Sequence, residues 1–140
     1  MAKKVLKVSY DYNLILIGIV TTLSDYRFCW FLNKHSGFDF IKSDDLILEN
    51  PNGSDSFYTR YESESQPGEP HYILIANKGN PTHFLPEKKE LDFLLVVKDA
   101  QQKNDFQTKL INKIRSTELI DAVLGIELST LKSRDNFIML

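Results

Sequence analysis

The groups in this 140-residue chain able to ligate a metal or move a proton are three histidines, one cysteine and nineteen carboxylate side chains. Transition-metal sites announce themselves by short spacings, either two histidines four apart on a helix or cysteines two to four residues apart. His35, His71 and His83 are far apart, and Cys29 has no second cysteine to join it. No metal site and no cofactor are expected. Phe28 and Trp30 flank Cys29; such surroundings keep a thiol protonated and make it a small hydrophobe. Acid–base catalysis by paired carboxylates needs one of them in an apolar setting that raises its pKa. Asp44-Asp45 and the group Glu62, Glu64, Glu69 lie in polar stretches and are expected to be solvated. The glycine-rich phosphate loops and the G-x-S-x-G nucleophile elbow are absent, and the six glycines are scattered. Backbone N–H groups therefore have no run of small residues through which to approach a phosphate. No catalytic residue is assigned.

The elements that must position these groups fit one domain, residues 1–140, because single cores usually hold roughly 100–200 residues. Apolar residues make up 42% and charged residues 26%, as in ordinary globular chains. Residues 1–37 carry five basic and two acidic groups, 38–70 carry two and eight, and 71–140 carry ten and nine. Acidity is thus concentrated in the middle, and the net charge is −2 with a pI near 5.9. A nucleic-acid binder usually has a basic stripe and a pI above about 9, so nucleic acid is a disfavoured partner. The longest apolar run, residues 14–20 (LILIGIV), is too short to span a bilayer as a helix. It also lacks the cleavage site of a signal peptide. With a single cysteine, the expected compartment is the reducing cytoplasm, with no membrane partner.

Period-two alternation of Leu6, Val8 and Tyr10 predicts a strand over 4–10. The run 14–20 is apolar throughout, and periodicity leaves it open between buried strand and buried helix. Ser24 or Asp25 is placed to cap a helix over 25–36, which Gly37 ends. Phe28, Trp30, Phe31 and Leu32 make that helix apolar over much of its circumference, so deep packing is expected. Strands are predicted at 46–49, 57–62, 72–77 and 91–97, separated by turn-formers at 50–54 and 66–70. They should form a meander. Asp99 and Gln102 suit a capping box for a helix over 100–115, with Phe106, Leu110 and Ile114 on its apolar face. Alternation predicts a last strand over 122–128. The sum is an α+β single domain: a mainly antiparallel sheet of about six strands with two main helices packed on one face.

One segment carries a named pattern. Residues 85–93 read L-P-E-K-K-E-L-D-F. This resembles the bacterial family named for its I-P-E-x-x-x-V-D-Y motif. Pro86, Glu87 and Asp92 match outright, while Leu85, Leu91 and Phe93 depart conservatively. Also similar to that family are Gly18-Ile19 at the end of the apolar run, Asp25-Tyr26-Arg27, Trp30 with Asn33, and Leu131-Lys132-Ser133. The resemblance covers most of the chain. It implies a small intracellular bacterial protein and supplies no catalytic residue.

Physically, Pro86 suits the first position of a helical turn and Glu87 its positive end. Alternation puts Leu91, Phe93, Leu95 and Val97 on one strand face and Asp92 with Leu94 and Val96 on the other. An acid on an apolar face must accept backbone N–H groups or pair with a base such as Arg27 or Lys132. The leading expectation is a non-enzymatic module that binds another protein or its own copies through a sheet edge or an aromatic patch drawn from Tyr26, Trp30, Tyr58, Tyr61 and Tyr72. Its candidate surface comprises Pro86, Glu87, Asp92, Asp25, Arg27, Trp30 and Lys132. The alternative is an accessory RNA-binding domain using Lys109, Lys113, Arg115, Lys132 and Arg134. A third class, an enzyme, requires Asp25, Arg27, Glu87 and Asp92 to converge.

Overall fold

The computed structural model describes residues 14–63, 70–98, 105–117 and 119–140. The strand expected over 4–10, the Asp99–Gln102 capping pattern and residues 66–69 of the second turn lie outside them. The run left open at 14–20 is a strand, β1 (Leu14–Thr21). It is followed by β2 (Phe40–Glu49), β3 (Asp55–Ser63), β4 (His71–Ala76), β5 (Phe93–Lys98) and β6 (Ile120–Ile126). They form a six-stranded sheet in the order β2-β3-β4-β5-β1-β6, with every neighbouring pair antiparallel. β2 to β5 are the expected meander.

Strict alternation along that order makes β1 parallel to β2, and β5 parallel to β6. The helices α1 (Asp25–Ser36) and α2 (Phe106–Arg115) are therefore crossovers between parallel strands that are not neighbours. β1 and β5 point oppositely, and the chain leaves them in opposite directions along the sheet. Crossovers of one hand, the near-universal case, must then put both helices on the same face. They do share a face: Phe28 and Leu32 of α1 and Leu110 and Ile114 of α2 pack in one cluster with Ile17, Ile19, Leu74 and Leu95. The fold is α+β.

The opposite face is covered too. Residues 77–91 and the C-terminal 3-10 turns bring Phe84, Leu85, Leu91, Leu131 and Phe137 onto Leu16, Ile73, Ile75, Leu94 and Val96. This layer has no long periodic segment to betray it. It explains why β1, β4 and β5 are apolar on both sides, a pattern that hides alternation and left 14–20 undecided. Gly18 is part of the fit, since a Cβ there would lie 2.8 Å from both Ile126 and Leu91.

Several local expectations are corrected. Ser24 stands at the N-cap of α1 but its side chain makes no capping bond; its carbonyl accepts the Phe28 N–H at 2.8 Å. Gly37 ends the helix in the left-handed region at φ 70°. α1 is not buried all round: Phe28, Cys29 and Leu32 face the sheet, whereas Trp30 remains 47% exposed. Leu91 does not share a face with Phe93, because β5 begins only at Phe93 and Leu91 joins Leu94 and Val96 on the far side. Asp44 and Asp45 sit inside β2, ahead of the strand start expected at Leu46. Both oppose the one residue between Tyr58 and Arg60 on β3, forming a bulge that shifts the register.

Candidate functional site

The segment between β4 and β5, which contains the LPEKKELDF motif, is anchored by a residue the sequence did not single out. Asn77 is fully buried, and its side-chain amide donates to the carbonyls of Lys88 and Leu91 at 2.8 Å each while its oxygen accepts the Leu85 N–H at 2.8 Å. Its backbone N–H donates to Asp92 O and its carbonyl accepts from Phe84. Every polar group of Asn77 is satisfied, so the loop is tied at both ends to one side chain. Only an amide offers two donors and an acceptor on one short stem. Nothing in the linear pattern distinguishes Asn77 from the turn-formers after it.

Within the motif, Pro86 occupies the first turn of the 3-10 segment Pro86–Lys88, as expected. Glu87 reaches across to the C-terminal segment, where Oε2 accepts the Ser133 N–H and Oε1 the Ser133 hydroxyl, both at 2.8 Å. Burial alone pushes the Glu87 pKa up. Hydrogen bonds from its own backbone N–H, from Ser133 and from the Lys132 backbone outweigh this and hold the carboxyl below its usual value. Lys132 contributes through its backbone; its side chain is exposed. Asp92 adopts the first of its two expected arrangements: Oδ2 accepts the N–H of Thr21 at 2.9 Å. No ion pair joins Asp92 to Arg27 or Lys132 among the described residues. Thr21 is itself a junction, donating through its hydroxyl to Leu119 O at 2.7 Å and accepting from Leu23 N at 3.2 Å.

Asp25, Arg27, Glu87 and Asp92 are not brought together. Glu87 belongs to the layer opposite the helices, whereas Asp25 and Arg27 lie on α1. The charge of Asp25 acts on Tyr61, whose phenol is pushed up first by burial and then by that charge. Among the described residues no three of His, Cys, Asp and Glu cluster as a metal site. Burial pushes the Cys29 thiol up to about 11, so it is not an activated nucleophile.

Of the cations named for phosphate contact, Lys132 is exposed, Arg134 donates to Leu131 O at 3.2 Å, and the three on α2 make contacts within the chain. Lys109 pairs with Asp105 at 2.8 Å, Lys113 lies 5.1 Å over the Phe38 ring, and Arg115 donates to Val123 O at 3.1 Å. The Arg115 bond bears on the sheet edge as well. Ile19 turns its carbonyl toward β5, where it accepts from Asp92 N–H, so its β6 partner Val123 presents its backbone groups outward. Arg115 occupies that outward carbonyl. The other edge, β2, carries the Asp44-Asp45 bulge and the exposed charges Lys42 and Glu49. Bulges, charges and covering side chains are the usual devices against strand addition.

What stands clear of the fold is the outer arc of α1. The 3.6-residue repeat puts Tyr26, Arg27, Trp30 and Lys34 on one side and Phe28, Leu32 and Ser36 on the other. Tyr26 is 76% and Trp30 47% exposed, one turn apart, and Lys34 Nζ lies 4.7 Å over the indole. Asn33 fixes this helix to β2 by a reciprocal pair, donating to Phe40 O at 3.0 Å and accepting from Phe40 N at 2.7 Å. Comparison with protein-family models, with curated proteins and with solved structures gives no match. Of the aromatic set named from sequence, Tyr58 and Tyr61 are core, Tyr72 is half-buried, and Tyr26 and Trp30 are surface. No helix among the described residues is long and apolar enough to cross a membrane.

Proposed function

We propose that this chain is a non-enzymatic binding module of the cytoplasm that engages a protein partner through the outward face of α1. The observation that carries the reading is the pair Tyr26 and Trp30, exposed one turn apart on a helix rigidly pinned by Asn33. Aromatic residues combine large contact area with few rotatable bonds, and they dominate the energetics of protein interfaces. The cation over Trp30 adds a donor at the rim of the same patch. A buried, lone thiol suits a reducing compartment.

The resemblance to the I-P-E-x-x-x-V-D-Y family is part of this proposal. Two separated stretches of that resemblance, Pro86-Glu87 and Leu131-Lys132-Ser133, meet through the Glu87–Ser133 bonds. In this reading the motif builds the layer opposite the helices, and binding falls to Asp25-Tyr26-Arg27 and Trp30.

The test is a photo-crosslinking residue substituted for Trp30, compared in native cells with the same residue at exposed Lys132. A discrete protein adduct from position 30 alone is expected. No adduct at 30, or the same adducts from both positions, overturns the proposal.

A further inference from the structure

The two helices leave part of their own side of the sheet uncovered. Leu46, Leu48 and Tyr58 point to the loop layer, so Ile47 and Phe57, directly opposite each other on β2 and β3, point to the helix side. They are 49% and 44% exposed. On the same face, at positions two residues away, stand Asp45, Glu49 and Asp55, with Glu49 opposite Asp55. All three are exposed, and none has a cationic partner within 4.0 Å among the described residues. The end of the β2–β3 hairpin is thus two apolar side chains ringed by three unneutralised acids. The outer arc of α1 has the inverse character: two aromatic side chains beside the cations Arg27 and Lys34, neither of which is in an ion pair among the described residues.

We infer that the partner of the α1 face is a second copy of this chain, which docks the acidic, apolar end of its β2–β3 hairpin onto Tyr26, Arg27, Trp30 and Lys34. The inference rests on the reading of α1 as a binding face and adds the identity of what covers it. The two surfaces match in apolar area and oppose in sign, which fixes orientation and penalises the wrong pairings. Helix against helix sets cation against cation, and hairpin against hairpin sets acid against acid. The favoured contact is therefore head to tail, between different patches of two copies. Such contacts either close as a two-fold dimer, in which each copy gives both patches, or continue into rings or open chains.

Two charge-swapped variants test this, at exposed positions that leave both cores intact: R27E/K34E and D45K/E49K. Wild type should show mass rising above that of the monomer with concentration in sedimentation equilibrium. Raising salt from about 0.05 to about 0.5 M should weaken association roughly tenfold or more, because the contributing charges are exposed. Each variant alone should be monomeric, since its two faces now carry like charge. An equimolar mixture should regain association, as each variant supplies the face the other lacks.

Wild type that stays monomeric at about 1 mM, where even millimolar affinity registers, overturns the inference. So does D45K/E49K that still associates, which is what a symmetric helix-to-helix dimer gives, or a mixture that stays monomeric. A monomeric wild type that nonetheless crosslinks from position 30 to a different protein leaves the α1 reading standing and removes only the self-association.

Discussion

The contact between Glu87 and Ser133 joins the motif loop to the C-terminal segment, and its worth can be worked out bond by bond. Glu87 accepts from the Ser133 N–H and hydroxyl at 2.8 Å each. Hydrogen bonds to a charged group contribute about 1.5–3 kcal/mol when enclosed, and less when solvent competes, as it does for this half-buried carboxylate. Ser133→Ala removes one bond, for about 1 kcal/mol; Glu87→Ala removes both, for about 2 kcal/mol. For a chain of this length, about 4 °C of melting temperature corresponds to each kcal/mol, so Glu87→Ala should lower Tm by about 8 °C. In the double variant the second change should add little, giving a coupling energy of about 1 kcal/mol.

The dependence on pH has a definite sign. The folded-state pKa of Glu87 is depressed relative to the unfolded chain, so its contribution is complete above the ordinary carboxylate pKa and is lost as pH falls through the lower, folded value. The penalty of Glu87→Ala, measured by circular dichroism against temperature, should therefore be largest near pH 7 and shrink under strongly acid conditions. Glu87→Gln keeps one acceptor and should cost less, with little pH dependence. Strictly additive Glu87→Ala and Ser133→Ala effects, or a Glu87→Ala penalty that grows on acidification, would refute the reasoning.

Other outcomes follow from neighbouring contacts. Asp92→Ala strands the N–H of buried Thr21, for about 1–3 kcal/mol. Asp92→Asn keeps an acceptor and should cost less than half of that; unchanged unfolding midpoints in both would mean the bond is not structural. Asn77→Ala orphans the Leu85 N–H and two carbonyls in the core, and a loss of about 3–5 kcal/mol in urea unfolding is expected; a loss below about 1 kcal/mol would contradict the anchoring role. With its pKa raised to about 11 and its sulfur buried, Cys29 should react with a disulfide reagent at pH 8 at least ~100-fold more slowly folded than unfolded. Comparable rates would show that α1 opens readily.

Elements that present one face to solvent were legible in the sequence. The span of α1 is marked in the sequence, because Gly37 closes it and Phe28 and Leu32 recur at helical spacing. The meander was legible through its turn residues, of which Asn50 and Gly53 do form a turn. Elements buried on both sides were not, since LILIGIV carries no period to read. β2 begins six residues before the expected Leu46, because Lys42, Asp44 and Asp45 interrupt the apolar pattern and the bulge reverses it. In the candidate site, Glu87 and Asp92 were visible as acids needing donors. Which donors they meet depends on contacts between residues 46 and 71 apart in the chain, which spacing alone does not encode. Trp30 looked like core because its sequence neighbours are core. Its position on the helix arc, one turn from Tyr26, turns it outward.

The position of β1 has a consequence for the chain as it is being synthesised. β1 leaves the ribosome before every other described strand, yet its two partners in the sheet, Phe93–Lys98 and Ile120–Ile126, are translated last. The β2–β5 meander can pair as it emerges, each strand separated from its sequence neighbour by no more than the 16 residues, 77–92, between β4 and β5. β1 must wait for nearly the whole described chain, a run of exposed leucine and isoleucine with no hydrogen-bonding partner and high propensity for the cross-β state. Late insertion between β5 and β6 closes loops of long sequence separation, the slow kind of step in folding. Nascent-chain stage, more than native stability, is thus where this protein is most exposed to aggregation, and where a chaperone that holds extended apolar segments has most to do.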